Sequence, residues 1–288
     1  MAPRADNPRD GAVITAFGKP YVDLAFQAAR SLRATNPGLP VDLFTEAPVD
    51  PGPFDRVHVL RDVWIRSKID AMRESRFERT LYLDADLMVL ADLGDVFEVL
   101  DRFDFALCHD QNRNSILGRR EYRIPLPNAY PQFNGGVVGF RRSPQTLDFI
   151  DNWKVAIQDH GIRKDQPSLR ELLWQSALRV ATLPPEYNLW DLALIDVMRP
   201  KHHAAPRIIH SNLFVQKPLP PAGKDILSHY IGPARARKVR ILLQADETLA
   251  RKDGRSTKQP SRLERLQLWG LYRGQWLGDR MARLLRRA

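Results

Sequence analysis

Two carboxylates one residue apart, Asp84 and Asp86, interrupt the apolar run from Thr80 to Leu90. An apolar run of this length reads as a strand buried on both faces. An ionised carboxylate inside such a core costs several kcal/mol unless it is paired or holds a cation. The pair is therefore expected where the strand emerges at its C-terminal edge, the place where α/β sheets bind ligands. Side chains at i and i+2 point the same way from an extended backbone. Asp84 and Asp86 can then share one hard cation, and their oxygens suit Mg²⁺ or Mn²⁺. The competing reading is a surface loop that caps the next helix, since Asp92 and Asp95 follow closely.

Three further stretches carry chemistry-bearing residues. Phe133-Asn134-Gly135-Gly136-Val137-Val138-Gly139-Phe140 sets adjacent glycines beside a strand. They permit close backbone approach to a ligand, or else mark a bulge or turn with positive φ. Asp165-Gln166-Pro167-Ser168 precedes an apolar helical stretch, and Asp165 alone reads as its cap. Arg207-Ile208-Ile209-His210 reads as a late strand, and a lone histidine there reads by itself as a structural residue.

The elements that must position these residues alternate. Gly11 to Phe17, Leu39 to Thr45, Val57 to Leu60, the Asp84/Asp86 run and Phe105 to Cys108 read as strands. Tyr21 to Arg33, Ile65 to Arg76, Asp92 to Leu100, Pro144 to Asp159 and Leu169 to Leu178 read as helices. This order predicts an α/β fold with a mixed, mostly parallel sheet, flanked by helices and joined by right-handed crossovers. His109 to Gln132 is irregular, rich in arginine and proline, and reads as a lid or an acceptor-facing loop.

The 288 residues are 43% hydrophobic, enough for one large domain with an appendage. The expected divisions are a flexible N-terminus over 1–10, the α/β domain over 11–232, and a basic helical extension over 233–288. The net charge of +10 resides in that extension, which holds 15 Lys/Arg against 5 Asp/Glu, while residues 1–232 hold 29 of each. Within it, Leu263, Leu266, Trp269, Leu277, Met281 and Leu284 lie among arginines, and Gly270, Gly274 and Gly278 recur every fourth residue. Such a helix suits an anionic membrane interface through 257–288, or packs on the domain with its arginines solvated. It carries no recognisable nucleic-acid reader motif, so no specific nucleic acid is expected. One cysteine, Cys108, excludes an internal disulfide framework and fits a reducing compartment. There is no apolar signal core and no long uncharged apolar stretch, so the expected location is cytoplasmic, peripheral at the inner face of the cytoplasmic membrane.

In order along the chain these motifs resemble the GT-A-fold glycosyltransferases, in particular retaining family 8, which includes glycogenin and bacterial lipopolysaccharide galactosyltransferases. The resemblance spans roughly residues 11–218. It rests on Tyr21, Ser67-Lys68, Leu-Tyr-Leu-Asp84-Ala85-Asp86, Phe-Asn134-Gly135-Gly136, Asp165-Gln166, Leu-Pro-Pro-Glu-Tyr-Asn188 and Ile-Ile-His210. It implies a Rossmann-like GT-A domain that moves a hexosyl group from a nucleotide sugar of the UDP-sugar class to a glycan or lipid-linked acceptor with retention. Surface polysaccharide or lipopolysaccharide assembly is the implied setting. Asp84, Asp86 and His210 would hold Mn²⁺ or Mg²⁺, with Asp84 also near the ribose. The base would lie against Tyr21, beside backbone at Ala16 and Phe17, and Ala85 would belong to the same nucleotide site. Lys68 would reach the phosphate or sugar. Asn134, Gly135, Gly136, Asp165 and Gln166 would line the donor sugar and the reacting carbon.

One departure stands out. The family follows its histidine with a glycine three residues on and a lysine six on, which grip the leaving diphosphate. Here Leu213 and Gln216 occupy those places, and Lys217 lies seven on. The grip then falls to Lys217 on a shifted loop, or to Arg237, Lys238 or Arg240. Two other readings remain at this level. A nucleotidyltransferase would carry a glycine-rich basic loop after its first strand, and Ala16-Phe17-Gly18-Lys19-Pro20 is poor in glycine. A non-catalytic nucleotide-sugar-binding domain would keep the fold and lose turnover.

Overall fold

The computed structural model describes residues 8–159, 164–221 and 223–249. A seven-stranded sheet runs β3-β2-β1-β4-β7-β6-β8. Its strands are β1 (Asp10–Thr15), β2 (Val41–Thr45), β3 (Arg56–Val59), β4 (Arg79–Leu83), β6 (Phe105–His109), β7 (Phe133–Arg141) and β8 (Val180–Leu183). Only β7 runs against its neighbours β4 and β6; the other pairings are parallel. A second, two-stranded antiparallel sheet pairs β5 (Leu87–Val89) with β9 (Ile208–His210).

Alternation along the strands divides the core between the two faces of the main sheet. Ala12, Ile14, Leu81 and Leu83 belong to one buried cluster, while Val13 and Tyr82 belong to the other. On the first face lies α1 (Lys19–Thr35), started by Pro20 and buried through Leu24, Ala25, Ala28, Ala29 and Leu32. On the second lie α2 (Lys68–Glu74), α4 (Pro144–Asp159) and α5 (Gln166–Gln175), with α3 (Gly94–Leu100) between β5 and β6.

The apolar run around the aspartates is not one strand. It breaks after Leu83 and resumes at Leu87 in the other sheet. Asp84 therefore stands at the C-terminal end of β4, as expected, and Asp86 in the turn that leads into the second sheet. The new strand is held on one edge by β9 and on the other by α1, where the Ser31 hydroxyl accepts the Val89 N–H at 3.0 Å. The expected helix over 65–76 is shorter, because Ser67 turns back to bond Trp64 and the helix starts at Lys68. The expected helix over 169–178 begins earlier, at Gln166, with Pro167 in its first turn.

The C-terminal elements are α6 (Ala193–Val197), α7 (Leu213–Gln216), α8 (Ile226–Ile231) and α9 (Pro233–Ala245). The helix that opens the expected extension, α9, lies on the domain and buries Ala236, Val239 and Leu242. Just beyond it, Asp246 forms a buried ion pair with Arg207 at 2.6 Å. The segment 257–288, the expected membrane contact, lies outside the described residues, as do residues 1–7 of the expected N-terminal arm. No described helix is long and apolar enough to cross a membrane.

Candidate metal and donor-sugar site

The two sheets meet at the aspartates. β4 delivers Asp84, whose N–H donates to the Gly136 carbonyl at 2.8 Å, and the turn delivers Asp86. The small sheet sets His210 opposite Leu87, one residue past Asp86. His210 Nε2 then lies 3.2 Å from Asp86 Oδ1 and 3.9 Å from Asp84 Oδ2. One ligand atom from each of the three residues falls within 4.8 Å of the others.

The hydrogen bonds fix Nδ1 of His210 as a donor and leave Nε2 facing the carboxylates. The Gly136 N–H donates to Asn134 at 2.9 Å, so that atom is the carbonyl oxygen Oδ1. Asn188 approaches the same oxygen at 3.0 Å and must present its Nδ2. Its own Oδ1 then faces His210 Nδ1 at 2.9 Å, and Nδ1 must carry a hydrogen. A neutral His210 thus aims the Nε2 lone pair at Asp84 and Asp86, the arrangement a metal-ligating histidine adopts. Two carboxylates and this imidazole are a donor set that fits Mn²⁺ or Mg²⁺. Burial opposes a charged imidazole, but the bond and charge of Asp86, with Asp84, outweigh it and raise the His210 pKa. Burial likewise opposes ionisation of Asp86, and the His210 bond reverses this, holding its carboxyl below the usual range.

The glycines answer to space, not to turn geometry, since neither Gly135 nor Gly136 has positive φ. A Cβ at Gly136 would sit 2.2 Å from His210 Cε1 and 2.9 Å from Asp84 Oδ2. A Cβ at Gly135 would sit 2.9 Å from Asp165 Oδ2 and 3.0 Å from Lys68 Nζ.

That second contact marks an adjoining cluster. Lys68 Nζ pairs with Asp165 Oδ2 at 2.6 Å, donates to the Gly135 carbonyl at 2.9 Å and lies 4.0 Å from Asp84 Oδ1. Arg66 Nε lies 3.5 Å from the other Asp165 oxygen. Asp165 does not cap α5 with its side chain. Burial opposes its charge, but Lys68 and then Arg66 hold its carboxyl below the usual range. Burial also opposes the Lys68 charge, and Asp165 followed by Asp84 keeps its pKa raised. The backbone of Asp165 is fixed by the buried Trp153, whose indole donates to its carbonyl at 3.1 Å. Gln166 turns the other way and donates to Asp110 Oδ2 at 2.7 Å. Asn134 spends its Oδ1 on the His210 network, so its first role is to hold that network.

The remaining expected residues divide. Ala16 and Ala85 turn their methyl groups into the core, leaving only backbone for a ligand. Phe17 is half-buried against the second cluster. Tyr21 is 45% exposed at the start of α1 and lines a cleft of about 450 Å³ that Phe214, Lys217 and Leu219 line as well. Lys217 shares that cleft, but its ammonium donates to the carbonyls of His229 and Tyr230 at 3.1 and 2.9 Å. Arg240 pairs with Asp225, and Lys238 donates to the Asp196 carbonyl. These two alternatives for gripping phosphate are thus engaged elsewhere.

Sequence reasoning missed Tyr82, Arg66 and Asp110. The Tyr82 hydroxyl donates to Asp84 Oδ1 at 2.5 Å and sits 2.9 Å from Thr15 Oγ1. Burial, then the Asp84 charge, pushes its pKa well up, so it remains a donor. Its place in an apolar run hides this role. The adjacency of Arg66 to Ser67-Lys68 was the one available signal for that arginine.

Residues 78–217 match the family model described as nucleotide-diphospho-sugar transferase. No curated protein matches the chain. Among solved structures, the chain is similar to the galactosyltransferase LgtC in complex with donor and acceptor sugar analogues, with a TM-score of 0.53 and 14% identity over 81% of this chain and 95% of that one. An active-site mutant of LgtC gives a TM-score of 0.53 and 14% identity, over 81% of this chain and 94% of that one. The apo glycosyltransferase GlyE of Streptococcus pneumoniae TIGR4 gives 0.51 and 15% identity, over 81% of this chain and 62% of that one. Likeness at these identities establishes the fold, which is GT-A. Residues 78–217, which hold both aspartates and the histidine, are the part that resembles nucleotide-diphospho-sugar transferases.

Proposed function

We propose that this chain is a divalent-metal-dependent hexosyltransferase that takes its sugar from a UDP-sugar and gives it, with retention, to a glycan or lipid-linked acceptor. The observation that carries the reading is the convergence of Asp84, Asp86 and His210 Nε2, with Nδ1 already committed to Asn188. Breaking the bond between the sugar carbon and the diphosphate leaves negative charge on the leaving group, and a bound Mn²⁺ or Mg²⁺ would offset it. The chain's own residues do the rest. Tyr82 orients Asp84 and leaves its second oxygen toward His210. Lys68 supplies positive charge between Asp84 and Asp165. Asp165, beside Lys68, offers carboxylate oxygens for the cationic character that develops at the sugar carbon, while Gln166 ties the same turn to Asp110. Tyr21 and Lys217, across one cleft, suit a base and a phosphate if Lys217 exchanges its two carbonyls for the ligand.

The test is thermal shift of the full chain with UDP, Mn²⁺, both, or neither. Stabilisation by both together, lost in Asp86→Asn, is the expected result. Stabilisation by nucleoside triphosphates without UDP would point to nucleotidyl transfer. UDP binding without turnover of any UDP-sugar would point to a binding domain.

A further inference from the structure

Residues 110–132 contain no helix or strand, yet their backbone is gripped from α5. Arg170, 3% exposed, donates to the carbonyls of Tyr130 at 2.6 Å, Leu126 at 3.1 Å and Pro127 at 3.0 Å, and pairs with Glu121 at 2.9 Å. Glu171 accepts the N–H groups of Arg123 and Ile124 at 2.8 and 3.0 Å. Gln132 donates to the carbonyls of Leu117 and Arg120. A frame held this firmly buries one of its own apolar side chains, Leu126. It leaves Ile116 81% exposed and Leu117 47% exposed.

These two side chains sit in a coiled turn, closed by Ser115 N–H to the Asn112 carbonyl and Arg119 N–H to the Ser115 carbonyl. Arg113, Ile116, Leu117, Arg119 and Arg120 are all carried on this one turn. Arg113, Arg119 and Arg120 are exposed, and among the described residues no carboxylate pairs with any of them. Glu121, the nearest acid in sequence, is held by Arg170.

We propose that the turn 112–120 is a docking surface for an anionic lipid bilayer. Ile116 and Leu117 enter the boundary between headgroups and acyl chains, and the three arginines meet lipid phosphates. A pair of aliphatic side chains is too small for a stable protein interface, which needs roughly 800 Å² on each partner. It is adequate as a shallow anchor when charge supplies the remaining attraction. The placement gives the surface a purpose. Just before the turn, Asp110 accepts from Gln166, and Gln111 bonds Asn188, Trp190 and Asp191 at the edge of the donor site. A bilayer under the turn would present a lipid-linked acceptor beside that site. Only this consequence rests on the transferase reading; the docking itself does not.

The experiment is flotation of the full-length chain with phosphatidylcholine vesicles, with and without phosphatidylglycerol. The wild type is expected to float with the anionic vesicles only, and less as salt rises. Ile116→Ser/Leu117→Ser and Arg113→Glu/Arg120→Glu should each lose about tenfold or more in partitioning, with melting temperature unchanged. Equal flotation of wild type and both variants would overturn the proposal and assign any membrane binding to another segment. So would unchanged flotation with a raised KM for a soluble anionic acceptor. Loss of flotation in both variants, with the UDP–Mn²⁺ thermal shift intact, supports it. The same loss in a protein that shows no UDP–Mn²⁺ shift would also support docking and would sink the donor reading instead.

Discussion

At Gly136 the site has no room for a methyl group. The backbone there is ordinary extended strand, so alanine brings no conformational strain, and its Cβ would meet the His210 ring at 2.2 Å. The ring must swing away from Asp86, because β9 cannot retreat from β5 without losing its ladder. Gly136→Ala should therefore keep the fold and weaken Mn²⁺ binding by about 10- to 100-fold, the scale on which metal ligands respond when their support is disturbed. Isothermal titration with Mn²⁺ in the presence of UDP checks this; unchanged affinity with an intact circular-dichroism spectrum would show that His210 is not a ligand. The two candidate carboxylate ligands were legible in the sequence, because carboxylates inside an apolar run demand an explanation, whereas His210 by itself read as structural and joined them only through the family resemblance. Their supports were not. Tyr82 looks like one more strand aromatic, and Asn188 meets His210 only through folding of distant segments. Asp165 was misread by local logic alone: it precedes a helix, yet its carboxylate turns to Lys68.

The elements fixing this arrangement are the short ones, and short elements leave the weakest periodic trace. The alternating strands and helices of the main sheet announced themselves through apolar period. The strand β5, three residues long, did not separate from the run that holds β4, and β9, also three residues, read as a strand but with no sign that it would pair with β5. Yet β9 carries His210, and its base is clamped from outside the sheet. Arg207 donates to Asp246 at 2.6 Å and to Thr248 at 2.6 Å, and Asp246 also accepts the Ala205 N–H at 2.7 Å. Helix α9, which charge alone assigned to a basic extension, thus ends in the clamp on β9. Removing one partner of a buried pair leaves an uncompensated charge, at a cost of about 3–5 kcal/mol. Asp246→Asn should lower stability on that scale, while Arg207→Met/Asp246→Leu should recover most of it. Urea unfolding of the two variants decides the matter; a double variant no better than the single one would show that the pair is not the source of the loss.

Across the molecule, neutral balance in the body conceals buried aspartates whose charge the fold depends on. Asp42 is 1% exposed and is bound by Arg76 at 2.7 Å and by His58 at 3.1 Å. Burial favours its neutral form, but the His58 and Arg76 bonds prevail and hold its pKa below 3.8. Asp104, beside Arg179 and Arg141, and Asp246, beside Arg207, are depressed against the same opposition from burial. For each group the sign is the same. A folded pKa below the unfolded one gives stability that is fully present above about pH 3.8. It is lost as pH falls through the lower, folded value, because the unfolded chain takes up protons first. The whole protein should therefore unfold steeply on the acid side of pH 3.8, with little change in these contributions above it. Asp42→Asn should be less stable at pH 7 and should show a shallower decline below pH 3.8, since one of the depressed carboxyls no longer titrates. Urea midpoints measured across this range test the assignment. Curves for wild type and variant that fall in parallel would mean that Asp42 titrates alike in both states, and that its guanidinium partner contributes packing rather than charge.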